Sequence, residues 1–527
     1  MRTQIIKILK KIISPSIAIE VFYPSREKFG HYTTNVAFKL APVLKKSPTE
    51  IANDLILKIK REDKKGLFKK IENVSGFINF WISESFWQKK VKEILKEKNY
   101  YGRLKLGQKK FVQIEFISAN PTGPLTLANA RGGFFGDVLA NVLETAGFKV
   151  EREYYVNDVG NQILLLGKSL LAQNGFLNWE ENFYQGDYLK KWAKENFSFI
   201  KKNKNDPLKI GQKAARDFLA DIKMVLKKAG IHFDRYTSER KDILEKGFSK
   251  KALEIFQKAN LVYKKEGAVW LKTKKFGDDK DRVLLTKENE PTYFLNDAGH
   301  YLETKKRGFV KKINILGPDH YGYVKRIQAA AKILGLKDSV VIITQAIRIV
   351  EKGKGIKMSK RRGKFVTLKD LLKEIKPEVA RFFFLTVSSD SHLDFDLSLA
   401  RQRSLKNPVY YLEYAYVRSR GILKKARVKN FNLQYPLSLN SEKAMQLTQT
   451  LLQFKEVIEE VAKSYEVHRL TLYSQKLAFS FHQFYEKERV IKKDGSVDLS
   501  LWALTKASFL VLKNLINLLG LKPPKKM

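Results

Sequence analysis

Residues 109–156 restrict the fold more than any other stretch. KKFVQIEFIS at 109–118 has the β-branched and aromatic content of a buried strand, SANPTGPL is a turn, and NARGGFFGDVLANVLETAG reads as a helix closed by Gly147. FKVEREYYV at 148–156 then reads as a second strand, so the unit is strand–helix–strand and calls for a parallel sheet.

The rest of the chain arranges itself around this unit. From about 165 to 285 the pattern is helical and then hairpin-like, with the lysine-rich KKNKNDPLK, and reads as an insertion between two halves of the sheet. Strand–helix alternation resumes with INILGPDHYGYVKRIQAAAKILG and SVVIITQAIRIV. After about 400 the spacing is helical to the end, as in NPVYYLEYAYVRSRGILKKA and LWALTKASFLVLKNLINLLG. A length of 527 residues suits three or four domains of about 100 to 200 residues each. The opening MRTQIIKILKKII alternates aliphatic residues with lysine, as an amphipathic helix does and a signal peptide does not. No run approaches the roughly 18 apolar residues of a membrane span, so a cytoplasmic protein without a membrane partner is expected.

Composition excludes several chemistries. The chain has no cysteine, which removes disulfides, thiolate zinc sites and cysteine nucleophiles, and its seven histidines lack metal-ligand spacing, so no protein-bound zinc or other metal is expected. The formal charge is +45, and residues 1–110 carry +15 of it. A polyanion such as nucleic acid would account for that excess, as would lysines that are merely solvated.

Two segments carry chemistry. In the turn at 118–136, Pro121, Gly123 and Pro124 fix a tight loop, and Ala128, Ala130, Gly132 and Gly133 are small enough to let a phosphate reach a helix N-terminus. Thr126 and Asn129 offer neutral donors there. The same small residues also suit close helix–sheet packing. In GKGIKMSKRRGKFVTLKDLL at 353–372, Lys357 and Lys360 sit in a glycine-punctuated loop beside Arg361 and Arg362. Such a loop can close over a polyphosphate and stabilise a leaving pyrophosphate, or be a solvated basic surface.

KMSK at 357–360 is the signature loop of class I aminoacyl-tRNA synthetases, and EFISANPTGPLTLANARGG at 115–133 resembles the segment of arginyl-tRNA synthetases that holds their His-x-Gly-His signature. The resemblance continues through REYYVNDVGNQ, DKDRVLLTKENEPTYFLNDAGHYL, LGPDHYGYVKR, SHLDFDLSLA and NPVYYLEYAYVR, with HYTTNVAFKLA and GFINF near the start. It implies an α/β fold: a Rossmann-type catalytic domain at 111–390, preceded by an α+β tRNA-binding domain at 1–110 and followed by an all-α anticodon-binding domain at 391–527. The implied reaction is ATP-dependent activation of L-arginine and transfer to tRNA(Arg), with Mg²⁺ arriving on ATP, tRNA bound before activation, and the chain acting as a monomer.

One departure stands out. Thr126-Leu127-Ala128-Asn129 replaces His-x-Gly-His, as in some tryptophanyl members that carry Thr-x-Gly-Asn. Thr126 and Asn129 can still donate to phosphate oxygens, and the alternatives are a catalytically impaired tRNA-binding relative or a class I synthetase of other specificity.

By the resemblance, the arginine site falls on Glu115, Ser118, Asn120, Asn129, Tyr293, Asp297 and His320, with Asp297 the bidentate partner of the guanidinium. The ATP site falls on Pro121, Gly123, Thr126, Ala128, Asn129, Met358, Ser359 and Lys360. Catalysis falls on Thr126, Asn129, Lys357 and Lys360. Candidates for tRNA contact are Asn35 and Phe38 at the corner of the L, with Phe38 equally suited to a core, and Tyr410, Tyr414 and Arg418 on one helix face, where such a stripe is often partly buried.

Overall fold

The computed structural model describes residues 1–351, 354–355, 367–524 and 526–527. At the N-terminal end, β1 (Tyr32–Thr34), β2 (Phe68–Val74) and β3 (Phe77–Ile82) form an antiparallel sheet in the order β1-β3-β2. Ser75 and Gly76 turn β2 into β3 with φ of 50° and 88°, the two positive angles a tight hairpin requires. The helices Arg2–Ile12, Val36–Leu44, Pro48–Glu62 and Glu84–Glu97 surround the sheet. Ser47 and Glu50 close a capping box on Pro48–Glu62, whose Ile51, Leu55, Ile56 and Ile59 face the core at helical spacing.

The central sheet begins with β4 (Phe111–Phe116), β5 (Lys149–Val156) and β6 (Arg235–Ser238). A small antiparallel sheet follows, made of β7 (Val262–Lys265), β8 (Ala268–Leu271) and β9 (Arg282–Leu285), and then β10 (Lys311–Leu316) and β11 (Val340–Ile343) return to the central sheet. Its order is β11-β10-β4-β5-β6, all parallel. This is a doubly wound sheet whose strand order reverses between β4 and β10, and such sheets bind ligands beyond the carboxyl ends of the strands at that reversal.

The position of β6 differs from expectation. The segment 165–285 is not one insertion, because β6 lies inside it and pairs with β5 along Glu153↔Arg235 to Val156↔Ser238. Helices fill the chain between β5 and β6, and the β7–β9 sheet lies between β6 and β10. RYTS is too short and too polar to announce a central-sheet strand.

Beyond the sheet, β12 (Ile347–Glu351) pairs antiparallel with β13 (Lys354–Gly355) and parallel with β14 (Leu393–Asp396). The C-terminal region is a bundle of the helices Pro408–Ala426, Glu442–Leu452, Phe454–Ser464, His468–Lys487 and Leu499–Leu518. Leu499–Leu518 is long and apolar enough to cross a membrane by length and composition, and it is mostly buried. Leu504, Val511, Leu512 and Leu515 are fully enclosed, which makes it the central helix of the bundle. Glu456 of this bundle ties in the N-terminal region, accepting from Arg2 N at 2.8 Å, from Tyr32 Oη at 3.1 Å and from Tyr23 Oη.

Candidate active site

The strand register places a polar row across one face of the sheet. Asn314 lies beside Glu115, Glu115 beside Glu153, and Glu153 beside Arg235. Registered neighbours in parallel strands point to the same face, and here the helix Tyr293–Lys306 covers them. Tyr301 Oη donates to Asn314 Oδ1 at 2.6 Å, Asn314 Nδ2 donates to Glu115 Oε2 at 2.6 Å, and His300 Nε2 lies 3.0 Å from Glu153 Oε2. One cluster among the described residues, Glu115, Glu153 and His300, has the donor atoms of a metal site, but the Lys312 ammonium stands 3.1 Å from both carboxylates.

At the end of β4 the backbone turns sharply. Ile117 and Ser118 both take positive φ, 64° and 39°, a costly conformation for a β-branched residue and the kind that persists where surroundings enforce it. The enforcement is visible: Ser118 Oγ donates to Glu115 Oε1 at 3.1 Å and accepts from Tyr155 N at 3.0 Å. Both oxygens of Glu115 are thereby engaged by protein groups, so it orients Ser118, where direct contact with substrate was expected. Asn120 follows on the surface.

Asp297 lies one turn into its helix, half-buried, and accepts a hydrogen bond from Tyr323 Oη. His320, exposed, packs edge-on against the ring of the same Tyr323, 6.5 Å between centroids. Tyr293, 60 % exposed, starts the same helix and faces Gly160. Burial pushes the Asp297 carboxyl up to about 6, with the Glu115 charge adding to it against the Tyr323 hydrogen bond.

Sequence reasoning missed the second carboxylate. Glu239, 2 % exposed, follows directly on β6 and accepts from Asn296 Nδ2 at 2.9 Å. Burial and the neighbouring Asp297 charge push its carboxyl up to about 7. Tyr155 Oη is buried with no hydrogen-bond partner among the described residues, and its phenol is raised by burial and by the charges of Glu239, Asp297, Glu115 and Glu153. The signal that would have found Glu239 is its place at the carboxyl end of a central strand, once that strand is recognised.

Thr126 caps the helix Leu127–Thr145, and with Asn129 it closes a capping box. Asn129 Oδ1 accepts from Thr126 N at 3.0 Å and from Thr126 Oγ1 at 2.8 Å, while Asn129 Nδ2 carries no hydrogen bond to a described residue. Ala128 is exposed beside them, whereas Pro121 is buried and Gly123 lies under the Tyr188 ring, where a Cβ would come within 3.0 Å. The following glycines serve packing: a Cβ on Gly133 would meet Ile117 at 2.7 Å, and one on Gly136 would meet the Phe116 ring at 2.4 Å. Arg131, also unforeseen, is 2 % exposed and donates to the carbonyls of Gln345, Ser388 and Ser391, each at 2.8 Å. It clamps the first turns of this helix to the segments that flank β12 and β14.

Lys357, Met358, Ser359 and Lys360 lie outside the described residues. Their flanks are described. The β12–β13 pair precedes them, and Thr367 follows, bridged antiparallel to Thr126, with Leu368 N donating to Leu125 O at 3.0 Å.

The residues expected to touch RNA fall in two places. Phe38 is 39 % exposed and packs on Phe77, 38 % exposed, with centroids 5.0 Å apart, so it belongs to the surface. Asn35 caps the same helix by position without a side-chain bond, and its Oδ1 is buried without a partner among the described residues. Tyr410, Tyr414 and Arg418 are each half-buried on Pro408–Ala426. Arg418 donates to Tyr414 Oη and lies over the rings of Tyr414 and Tyr485 at 4.8 and 5.1 Å, while Tyr414 stacks on His482.

A family model described as "tRNA synthetases class I (R), catalytic domain" matches residues 90–382, and together with the parallel sheet and its crevice it defines a class I aminoacyl-tRNA synthetase. Models of the arginyl tRNA synthetase N terminal domain and of the DALR anticodon binding domain match residues 1–82 and 412–527. The arginine–tRNA ligase of Thermotoga maritima is 37 % identical over 100 % of this chain and 99 % of its own length, and that of Citrifermentans bemidjiense is 37 % identical over 97 % and 95 %. The chain belongs to the arginyl-tRNA synthetase family. Among solved structures, the Thermus thermophilus arginyl-tRNA synthetase superposes with a TM-score of 0.79 at 18 % identity, covering 100 % of this chain and 99 % of that one. A putative arginyl-tRNA synthetase from Campylobacter jejuni gives 0.75 at 31 % identity, covering 85 % and 100 %.

Proposed function

We propose that the crevice at the ends of β4, β6 and β10 is the arginine-activating site of an ATP-dependent arginine–tRNA ligase. The observation that carries this is the pairing of half-buried Asp297 with buried Glu239, two carboxyls pushed up to about 6 and about 7, beside the buried hydroxyl of Tyr155, which has no partner among the described residues. A guanidinium entering between them supplies the missing charge and the missing donors at once, and a neutral side chain of the same length supplies neither. Tyr293 and His320 border the pocket. Ser118, held in place by Glu115, and Asn120 face the α-amino and carboxylate end.

The arginine carboxylate attacks the α-phosphorus of ATP and pyrophosphate leaves; the terminal ribose hydroxyl of the tRNA then attacks the carbonyl of the arginyl-adenylate, the anhydride bond breaks, and AMP leaves as the ester forms. No protein nucleophile is required, so positioning and charge carry the rate. Thr126 and Asn129 stand where the family has histidines, at a helix N-terminus suited to phosphate, and Asn129 Nδ2 is the available donor. Pro121, Gly123 and Ala128 shape that turn. Lys357 and Lys360, with Met358 and Ser359, act on the pyrophosphate, and Mg²⁺ arrives on ATP. Asn35 and Phe38, and Tyr410, Tyr414 and Arg418, contact the tRNA. Charging of tRNA(Arg) with labelled arginine tests this reading: the chain esterifies arginine, and Lys360→Ala loses at least 100-fold in rate. No charging by the unaltered chain would overturn it.

A further inference from the structure

Lys312 is an anomaly of the central sheet. It lies in β10 on the face it shares with Asn314, opposite Ile313 and Ile315, and its side chain is fully enclosed. An enclosed ammonium is tolerated only when paired and hydrogen-bonded. Lys312 Nζ lies 2.8 Å from Gln113 Oε1, 3.1 Å from Glu115 Oε2, 3.1 Å from Glu153 Oε2 and 3.0 Å from His300 Nε2, with Thr304 Oγ1 at 3.4 Å. Acceptors from two neighbouring strands, β4 and β5, and from the helix Tyr293–Lys306 converge on it. Burial alone would lower the ammonium, yet Glu153 and Glu115 hold it above its ordinary value, and Glu153 is held well below the usual carboxylate range despite its own burial.

We propose that Lys312 is a positioning residue for arginine activation: its ammonium is a built-in cation between Glu115 and Glu153 that keeps Glu115 a hydrogen-bond acceptor for Ser118. Two enclosed carboxylates this close cannot both stay ionised without it, and one takes up a proton. The other charged and titratable neighbours are His300, Tyr155 stacked on that ring at 4.3 Å, Tyr301 beneath the ammonium at 5.4 Å, Arg235 at 4.0 Å from Glu153, and Asp297. Of these only the His300 ring also reaches both glutamates, Nε2 at 3.0 Å from Glu153 Oε2 and Nδ1 at 3.8 Å from Glu115 Oε2, and an imidazole lacks the fixed charge of an ammonium. A neutral Glu115 carboxyl accepts from Ser118 Oγ more weakly than a carboxylate does, and the strained Ile117–Ser118 turn loses part of the contact that holds it.

The inference rests on the arginine-activating reading of the crevice and is tested apart from it. Lys312→Gln keeps a polar donor and removes the charge. In steady-state charging, its KM for arginine should rise at least tenfold at pH 6.5 and approach the unaltered value within threefold at pH 9. KM for ATP should stay within twofold throughout, and the acid limb of kcat/KM for arginine should move up by at least one pH unit. The pair Lys312→Gln/Glu153→Gln removes one charge of each sign; it keeps the proposal testable if the single variant does not fold, and should return the acid limb to its original place. A folded Lys312→Gln whose profile superimposes on that of the unaltered chain overturns the proposal, as does a displaced limb in the double variant. If the unaltered chain charges no arginine, the reading of the crevice fails instead.

Discussion

Thr126 and Thr367 face each other across an antiparallel bridge, and each caps the helix that follows it with a capping box, to Asn129 in one case and Asp370 in the other. The turn proposed to receive the ATP phosphates is thus bridged directly to the backbone that follows the KMSK segment. Thr367→Ala removes a cap that contributes about 0.5 to 2 kcal/mol and loosens this anchor. The expected result is a severalfold rise in KM for ATP with KM for arginine unchanged, read from steady-state charging.

Asn129 combines two tasks that a single substitution separates. Asn129→Asp keeps the oxygen that accepts from Thr126 N, and a carboxylate at a helix N-terminus is favourable, so thermal stability should hold or rise. The Nδ2 donor is replaced by negative charge facing phosphate. Loss of one preorganised donor costs about 10²- to 10³-fold in kcat, and pyrophosphate exchange should fall by at least that much.

Asp297 and Glu239, the two carboxyls of the proposed arginine pocket, set a pH dependence. Each is raised above its ordinary value, so each is protonated more readily folded than unfolded, and stability falls as pH climbs from about 4 through about 6 to 7. Arginine binds the ionised forms. Its stabilisation of the protein should therefore be larger at pH 7.5 than at pH 5, as melting curves with and without arginine would show, and kcat/KM for arginine should fall as pH drops through about 6 to 7.

Phe38 and Phe77 form an exposed aromatic pair on the N-terminal sheet, so neither is needed for the core. Stacking of one base on an aromatic ring contributes about 1 to 3 kcal/mol. Phe38→Ala should raise KM for tRNA roughly tenfold or more while its melting temperature stays close to the original, as charging at varied tRNA concentration would show.

Glu456 joins the N-terminal region to the C-terminal bundle. Glu456→Ala leaves the hydroxyls of Tyr23 and Tyr32 and the Arg2 amide without their acceptor, and removing one partner of a buried charged cluster costs about 3 to 5 kcal/mol. A lowered melting temperature, or two resolved transitions in calorimetry, is the expected outcome.

Much of this was legible in the residues. The apolar run of β4, the glycine-stopped helix after it and the polar turn between them announced the parallel sheet, because period and punctuation agree there. Asp297 was singled out as a candidate by its surroundings, YFLNDAGH. β6 was not: RYTS has four residues, two of them polar on the face that meets Glu153, and its strand character comes from pairing with β5. Glu239 was hidden with it. Lys312 was hidden for the opposite reason, since a lysine in a strand suggests solvent and only the acceptors converging on it from β4, β5 and the helix Tyr293–Lys306 make it a core residue. Phe38 was undecided because a phenylalanine suits a core and a base-stacking surface equally well, and only exposure separates them.

The central claim, that Asp297 and Glu239 make this crevice an arginine site, is tested most directly by arginine-dependent pyrophosphate exchange in the presence of tRNA(Arg), comparing the unaltered chain with Asp297→Asn. The account predicts exchange by the unaltered chain and a loss of at least 100-fold in a variant that melts at a similar temperature. Equal exchange by the two proteins would contradict it.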